Sequence, residues 1–236
     1  LNEAFIIDTE TRNRILSNCK TQDERKRTEE IIKPILRGRD IGRYNYKWAG
    51  LWIIGTFPAL KLNIDDYPAI KKYFLDNFDI RQLEQSGKKY PALGFNARKK
   101  TGNKWYETQD QIAYYPEFEK EKIVWQRITQ TPKFSLVSPN FYCEATTHFI
   151  TMKHEKDKIF HKILLAVFNS KLFEFGFYKF YMGGGIEGEI KGEFIGRFPI
   201  PLITSQNKSI VQKIDVLVDK MLMLNKRLNE LGDKKT

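Results

Sequence analysis

The sequence has little cysteine and no long apolar run. Cys19 and Cys143 are its only cysteines, and they lie far apart without Cys-x-x-Cys spacing. This excludes a disulfide framework and a cysteine zinc site, and it predicts two free thiols in a reducing cytoplasm. No apolar run approaches the roughly 18 residues that a membrane-spanning helix needs, and the first residues lack a signal-peptide pattern. We therefore expect a cytoplasmic location and no membrane partner.

Histidine is also scarce, and its spacing does not predict a metal site. His148, His154 and His161 show no His-x-x-x-His spacing. His161 follows Asp157 by four residues, so both could share a helix face, but two ligands without a third make a poor zinc site. We expect surface or core-edge histidines and no bound metal.

Catalytic and cofactor-binding motifs are missing as well. Gly183, Gly185 and Gly188 match G-x-G-x-x-G, but the dinucleotide motif needs a strand before it and a helix after it. Here an apolar helix precedes, and the glycines and prolines that follow argue against a helix. Glu189 and Lys191 form an E-x-K pair without a nearby upstream aspartate, and no Asn/Asp-Pro-Pro-aromatic motif occurs. We predict neither catalysis nor a cofactor in these 236 residues.

Positive charge is what the sequence has in excess. Forty basic against 29 acidic residues give a formal charge of +11 and a pI near 9.4. Hydrophobic residues make up 41% and aromatics 14%, which argues against disorder. A folded, aromatic-rich chain of this charge typically meets a polyanion, nucleic acid before an anionic membrane. Charge that serves only solubility is the alternative.

The basic residues cluster next to aromatic and amide side chains in three segments: KPILRGRDIGRY (33–44), ARKKTGNKWYE (97–107) and KIVWQRITQTPK (122–133). Lys and Arg side chains bind phosphates, Arg and Gln side chains form hydrogen bonds with base edges, and aromatic rings stack on bases. We predict phosphate contacts for Arg37, Arg39, Arg43, Lys99, Lys100 and Lys104. Base readout is predicted for Arg98, Trp105, Gln126, Arg127 and the turn Gly183, Gly184 and Gly185, with Tyr106 as a further DNA contact. Alternatively, the aromatics belong to the core and Asp40 pairs with one of the arginines.

The hydrophobic pattern predicts an α+β fold, with a mixed, largely antiparallel twisted sheet and helices packed around it. Predicted strands are 4–8, 47–56 and three between 122 and 152. Predicted helices include one capped by Thr9 or Thr11, one over 64–85 capped by Asp65 or Asp66, and a pair over 157–181 divided at Asn169 or Ser170. Residues 86–108 read as a long loop, of a length that is usually functional or disordered.

The last predicted helix carries a heptad pattern. Its apolar residues alternate spacings of four and three: Ile210, Ile214, Leu217, Met221, Leu224, Leu228 and Leu231. Such a stripe predicts packing against another helix, in this chain or elsewhere. We therefore divide the chain into a recognition domain (1–205) and a docking helix with its tail (206–236). Because the chain begins without Met, at LNEAFIIDTE, we expect a fragment of a longer polypeptide.

Several stretches together resemble the TaqI-like C-terminal specificity domain, the target recognition domain of type IIG restriction–modification enzymes and related adenine-specific DNA methyltransferases. The matching stretches are LNEAFIID, KPILRGRDIGRY, YPAIKKYF, KWYE, EKEKIVWQRI, LLAVFNSKLFEF and FIGRFPIP, followed by a helix. They occur in the family's order over about residues 1–203.

The resemblance implies sequence-specific recognition of double-stranded DNA. It implies an upstream domain that methylates adenine with S-adenosylmethionine, and an endonuclease domain, where present, that uses Mg²⁺. It also implies that these upstream domains dock on the closing helix, which is similar to the spacer helices of type I specificity subunits. The enzymatic activities would belong to the parent protein.

Two alternatives of other classes stay open. One is a protein-interaction or scaffold module that assembles through the heptad helix. The other is a small nuclease that uses Glu189, which predicts Mg²⁺-dependent cutting; we expect no cutting.

Overall fold

The computed structural model describes residues 2–153, 158–180 and 188–232. The chain divides into two units, each formed by two stretches of sequence. The first comprises Leu1–Ile35 and Gly50–Pro116, and the second comprises Leu36–Ala49 and Glu117–Thr236. This division runs through the predicted 1–205 domain, and the predicted boundary at residue 205 stays a prediction.

The first unit begins with a strand and two capped helices. Its elements are β1 (Ile6–Asp8), α1 (Thr9–Ser17), α2 (Gln22–Ile31), β2 (Ile32–Leu36), β3 (Leu51–Ile54), α3 (Pro68–Asn77), α4 (Ile80–Leu83), β4 (Lys89–Tyr90) and β5 (Phe95–Asn96). α1 is capped by Asp8, whose carboxylate accepts from the Thr11 amide at 2.7 Å, and not by Thr9 or Thr11 as predicted. An aspartate satisfies the free amides of a first turn as well as a threonine does.

The core of this unit lies between the antiparallel β1–β3–β2 strands and α3. β3 is central, with Trp52 opposite Ile7 on one side and Ile53 opposite Lys33 on the other. Apolar residues of the strands and helices form one cluster: Phe5, Ile7, Ile15, Ile32, Ile54, Ile70, Phe74 and Leu83. The predicted buried strand at 47–56 is therefore confirmed as β3, in shortened form.

The prediction of a single helix over 64–85 is wrong, because two helices, α3 and α4, occur there. α3 begins at Pro68 without a side-chain cap, so the predicted Asp65 or Asp66 cap is not used. The helix ends before Phe78, and the Asp79 carboxylate then accepts from the Arg81 amide and starts α4. An aspartate that bonds a nearby backbone amide favours a new cap over continued helix.

The second unit is built on an antiparallel sheet with the strand order β10–β6–β8. Its elements are β6 (Lys122–Gln126), β7 (Ile128–Thr129), β8 (Phe134–Val137), β9 (Tyr142–Cys143), β10 (Thr147–Thr151), α5 (Lys158–Phe168), α6 (Lys171–Phe180), β11 (Gly188–Glu189), α7 (Gly192–Arg197) and α8 (Lys208–Gly232). The α+β fold class is confirmed. The three strands predicted between 122 and 152 occur as five, because the first is interrupted at Arg127 and the second over residues 138–141.

β6 is buried on both faces. Because successive side chains of a strand point to opposite faces, Ile123 and Trp125 pack with the α5–α8 residues, whereas Val124 packs with Leu36 and Ile41. Leu36 and Ile41 therefore lie on the sheet face away from the helices, whereas Tyr44 packs with the helix-side cluster and Asn45 donates to Asn225 of α8.

The helices of this unit follow the predicted pattern with one exception. The division between α5 and α6 falls where predicted, and the Ser170 hydroxyl accepts from the Phe173 amide as the cap. Asn169 instead exchanges two hydrogen bonds with the Phe134 backbone. The expectation that no helix follows Gly188 is wrong, because Gly192–Arg197 forms α7. Its Phe194 and Ile195 are buried, and that packing outweighs the two glycines.

The described part of the chain contains no cluster of three or more His, Cys, Asp and Glu that could hold a metal. His161 is buried, with Nδ1 3.5 Å from the Glu121 carboxylate. Cys19 and Cys143 are free, as predicted, and burial raises the pKa of the Cys143 thiol to about 11. None of the helices in the described ranges combines the length and the apolar character needed to cross a bilayer.

Lys122 is an unpredicted buried cation in the middle of this unit. Its side chain is fully buried, and its Nζ donates to the carbonyls of Phe118 at 2.8 Å, Lys120 at 2.9 Å and Ser138 at 3.4 Å. Burial lowers the pKa of this lysine to about 8. The ammonium group joins the segment before β6 to the segment after β8.

We predict that Lys122→Met lowers the free energy of unfolding by about 2–4 kcal/mol, because the Lys120 and Ser138 carbonyls lose this donor and the Phe118 carbonyl retains that of the Asn140 amide. Urea denaturation measures this. Lys120→Met, in an exposed neighbour whose ammonium group pairs with the Glu117 carboxylate, should stay within about 0.5 kcal/mol of wild type. Equal effects of the two substitutions would contradict the role given to Lys122.

Candidate nucleic-acid interface

The long loop of the first unit is ordered around a buried glutamine. The Gln85 amide nitrogen donates to the carbonyls of Lys104 at 3.2 Å and Glu107 at 3.0 Å, and its oxygen accepts from the Thr101 hydroxyl at 2.6 Å. Side-chain hydrogen bonds thus satisfy backbone groups that neither helix nor sheet would satisfy. The loop predicted from the sequence is confirmed as largely irregular; it contains β4, β5 and a short 3-10 helix at Pro91–Leu93.

Arg98 is the second residue on which this loop is built. Its guanidinium donates to the carbonyls of Leu83 at 2.7 Å, Glu107 at 2.8 Å and Trp105 at 2.6 Å, and it lies 4.9 Å from the centre of the Phe5 ring. Burial lowers the pKa of Arg98 to about 10, so the group remains charged at neutral pH. Arg98, predicted to read bases, is engaged inside the unit.

The two aromatic residues of the KWYE stretch also face inward. Tyr106 is only 4% exposed and its hydroxyl donates to the Leu62 carbonyl at 2.9 Å. Trp105 packs edge-on against Phe74, with ring centres 6.1 Å apart. Both rings belong to the core in this structure, which is the alternative given for them from the sequence.

The lysines of the same loop face solvent. Lys99, Lys100 and Lys104 are exposed. The Lys104 ammonium group lies 5.5 Å from the centre of the Tyr106 ring, and this contact raises the pKa of Lys104. Half-buried Arg98 and buried Gln85 therefore hold the backbone of an ordered loop that exposes three lysines.

In the second unit, Asp40 determines the geometry of the basic segment 37–43. Its carboxylate accepts from Arg37 Nε at 3.1 Å and Nη2 at 2.8 Å, and from the Arg37 amide at 2.8 Å. This pairing raises the pKa of the guanidinium. Asp40 thus closes the turn by binding Arg37, the structural role that the sequence left open.

The other two arginines of this segment differ from each other. Arg43 Nη2 donates to the Asn169 carbonyl at the end of α5, although much of its side chain is exposed. Arg39 is exposed at the tip of the turn. Among the three arginines predicted to contact phosphate, Arg39 has the side chain with the fewest internal contacts.

Gly38 brings this turn against the sheet. Its amide donates to the Thr146 hydroxyl at 2.9 Å. A Cβ at this position would lie 2.7 Å from the Thr146 carbonyl oxygen and 2.9 Å from Gln126 Cγ. A glycine is therefore required by close approach, and the contact places Gly38, the residue before Arg39, next to Gln126.

Arg127 lies at the end of β6, where two other segments meet. Its amide donates to the Thr146 carbonyl, and its own carbonyl accepts from the Ile190 amide, both at 2.9 Å. The side chain is 43% exposed, and Nε donates to the Glu189 carboxylate at 2.7 Å. Arg127 lowers the pKa of that carboxylate. The acidic residue of the E-x-K pair is thus engaged in an ion pair.

The structure brings the turn that carries Arg39 against Gln126 in the second unit, and it exposes Lys99, Lys100 and Lys104 on one loop of the first. The predicted glycine turn, Gly183, Gly184 and Gly185, lies outside the described residues. The sequence reading missed Gln85, Thr146 and Lys122, whose types and positions carry no motif. DNA contact by any of these residues stays a prediction.

We predict that Arg98→Met lowers the free energy of unfolding by about 2–4 kcal/mol, since the Leu83 and Trp105 carbonyls lose this donor and the Glu107 carbonyl retains that of Gln85. Lys99→Met, one residue away and exposed, should stay within about 0.5 kcal/mol. Thermal and urea unfolding of both variants test this. A stable Arg98→Met protein with intact unfolding cooperativity would show that the loop does not depend on the guanidinium.

We predict that Gly38→Ala destabilises the protein by about 1–3 kcal/mol, because the added methyl overlaps Thr146 and Gln126. Gly196→Ala is the matched control, since a Cβ there meets nothing within 4 Å and the residue lies in α7. That substitution should be neutral or stabilise by up to about 1 kcal/mol. Urea denaturation of both variants compares them, and a neutral Gly38→Ala would contradict the close approach.

Three comparisons with known proteins bear on this geometry. Residues 33–200 match the model of the TaqI-like C-terminal specificity domain. No curated protein matches the chain. A solved structure of the type IIL restriction–modification enzyme MmeI in complex with DNA is similar over 70% of this chain, with 11% identity and a TM-score of 0.35. The matching part is 19% of that protein, and so weak a likeness supports no argument.

The family match covers well over half of the chain, from the KPILRGRDIGRY turn through the sheet to the end of α7. The chain therefore belongs to the family of TaqI-like C-terminal specificity domains.

Proposed function

We propose that this chain recognises a specific sequence in double-stranded DNA, as the specificity domain of a bifunctional type IIG restriction endonuclease and adenine-N6 DNA methyltransferase. The observation that carries the proposal is the close approach of Gly38, which precedes exposed Arg39, to Gln126, which precedes Arg127, in a specificity-domain chain of charge +11. In this proposal the chain itself is not catalytic. The parent protein, acting in the cytoplasm, would supply S-adenosylmethionine-dependent methylation and Mg²⁺-dependent cleavage.

The proposed contacts divide into two kinds. Arg39, Lys99, Lys100 and Lys104 are exposed cations without a bidentate internal partner, so they are assigned to phosphates. Gln126 and Arg127 are assigned to base edges, because an amide pairs with adenine and a guanidinium with guanine in the major groove. Arg37, Arg43 and Arg98 support the surfaces that carry these residues.

The fixed positions of the side chains in the proposed contact surface favour sequence-specific recognition over non-specific electrostatic binding of a polyanion. Sequence readout needs side chains held at defined positions, and the close approach of Gly38 and the Glu189 ion pair hold Arg127 and its neighbours in place. The Glu189 carboxylate also accepts hydrogen bonds, a property that suits a cytosine amino group. A purely electrostatic surface would not require this arrangement.

The parent's upstream domains are the proposed protein partners. They would dock on α8, whose heptad stripe is exposed along most of its length. The same exposed stripe favours the second candidate function, a scaffold module that binds protein and not DNA. The two candidates differ in their response to salt.

We expect duplex binding by this chain at about 50 mM salt, with affinity falling steeply toward about 200 mM, because neutralised phosphates release counterions. Arg39→Ala should weaken binding about five-fold and reduce the salt slope by about one. Lys26→Ala, the same charge change on an exposed residue of α2, is the control. Fluorescence anisotropy with labelled duplexes measures both. Absence of duplex binding at about 50 mM salt by this chain and by the full parent would refute the proposal.

A further inference from the structure

α8 uses only one of its two apolar faces within its own chain. Val211 and Val218 are buried, and Ile214 and Leu222 are partly buried in the same cluster as α5 and α6. On this side Lys162 of α5 also pairs with two aspartates of α8, Asp215 at 2.9 Å and Asp219 at 2.8 Å. The inner face of α8 is therefore complete without the heptad stripe.

The predicted heptad stripe lies mainly on a different side of the helix, which we call the outer stripe. Its members are large apolar residues that are 41–64% exposed: Ile210, Leu217, Met221, Leu224, Leu228 and Leu231. One residue of offset turns an α-helix by about 100°, so Leu217 points well away from buried Val218. Only Ile214 takes part in both the predicted stripe and the inner face. No described residue covers the outer stripe, and a continuous apolar row of this kind indicates a contact surface.

The two borders of the outer stripe differ in charge. On one side lie Val211, Val218 and Asn225, which belong to the inner face. On the free side, the residue before Ile214, Met221 and Leu228 is basic in every heptad, namely Lys213, Lys220 and Arg227. In coiled coils, the charged residues that flank the apolar seam form salt bridges with the partner helix and so determine which helix binds.

This asymmetry argues against a second copy of the chain as the occupant. Antiparallel self-pairing would set Lys213, Lys220 and Arg227 against their own equivalents, and like charges in register are unfavourable. Parallel self-pairing would need the opposite border, which the chain already packs against its own α5 and sheet. The basic border instead complements acidic side chains.

The outer stripe also differs from a membrane-binding face. Interfacial helices typically place Trp or Phe at the lipid boundary, and α8 contains no aromatic residue. Its apolar residues follow four-three spacing over three heptads, the spacing that fits knobs of a facing helix.

We propose that the outer stripe of α8 binds an amphipathic helix of another domain or protein, with a Leu/Ile-rich seam bordered by Glu or Asp. The partner's carboxylates lie along Lys213, Lys220 and Arg227, and its seam covers Leu217, Met221, Leu224 and Leu228. The inference rests on the docking role proposed for α8 and not on DNA binding, so each can fail without the other.

Two synthetic helices test the proposal on the 236-residue chain. Both are about four heptads long, enough to be helical, with the same Leu/Ile seam, and they carry Glu or Lys at the seam borders. Fluorescence anisotropy should show the Glu helix binding at least about ten-fold more tightly at about 50 mM salt, with the difference shrinking as salt rises.

Two sets of variants locate the site. Leu217→Asn with Leu224→Asn should abolish binding of the Glu helix, whereas Val216→Asn with Met223→Asn, equally exposed but off the stripe, should retain it. Reversal of the border by Lys213→Glu, Lys220→Glu and Arg227→Glu should switch the preference to the Lys helix. Circular dichroism confirms that each variant is folded, which the exposure of these positions predicts.

Several outcomes would overturn the proposal. They are equal binding of the two helices, binding of neither, and a dimer in sedimentation that Leu217→Asn with Leu224→Asn dissociates. Tighter binding to vesicles of anionic phospholipid than to the Glu helix would assign the stripe to a membrane instead. Duplex-DNA binding by the Leu217→Asn, Leu224→Asn variant should equal that of wild type, so failure here leaves DNA recognition separately testable.

Discussion

Irregular backbone stays folded only where its buried carbonyls and amides find partners, and in this chain buried polar side chains meet that requirement. Arg98 and Gln85 serve the loop of the first unit, and Lys122 serves the segments around β6 in the second. The exposed basic residues are positioned by these buried ones. The positions of the exposed cations therefore depend on hydrogen bonds made inside each unit.

Because several basic side chains form hydrogen bonds or ion pairs within the chain, the net charge of +11 overstates the number of cations that could contact a ligand. The side chains of Arg98 and Lys122 donate their hydrogen bonds to backbone carbonyls. Arg37 forms an ion pair with Asp40, and Arg127 forms one with Glu189. Net charge still attracts a polyanion over distance, but only the cations left exposed are available for phosphate contact. In the proposed function, specificity would come from the few side chains whose positions are constrained, such as Gln126, which packs against Gly38.

Much of the fold was predictable because hydrophobic period and capping chemistry act locally. The strands around β6, the division at Ser170 and the length of α8 all follow from such signals. The family was predictable from ordered motifs that are individually modest.

α7 was not predicted because it depends on the burial of Phe194 and Ile195. The break before Asp79 was not predicted because the helical period of apolar residues continues through it. The roles of Gln85 and Arg98 depend on which carbonyls a loop brings near, which no local pattern records. The side of α8 that faces the chain likewise depends on tertiary packing.

The central claim is that this chain reads DNA sequence, and selection from a pool of random duplexes tests it most directly. The 236-residue chain should enrich one recurrent motif over successive rounds. Parallel selections with Gln126→Ala and Arg127→Ala should relax individual positions of that motif, since each good base contact contributes about 1–3 kcal/mol of discrimination. Lys100→Ala should lower the recovered amount and leave the motif unchanged. Binding without any enriched motif, or a motif that neither base-contact substitution alters, would contradict the account.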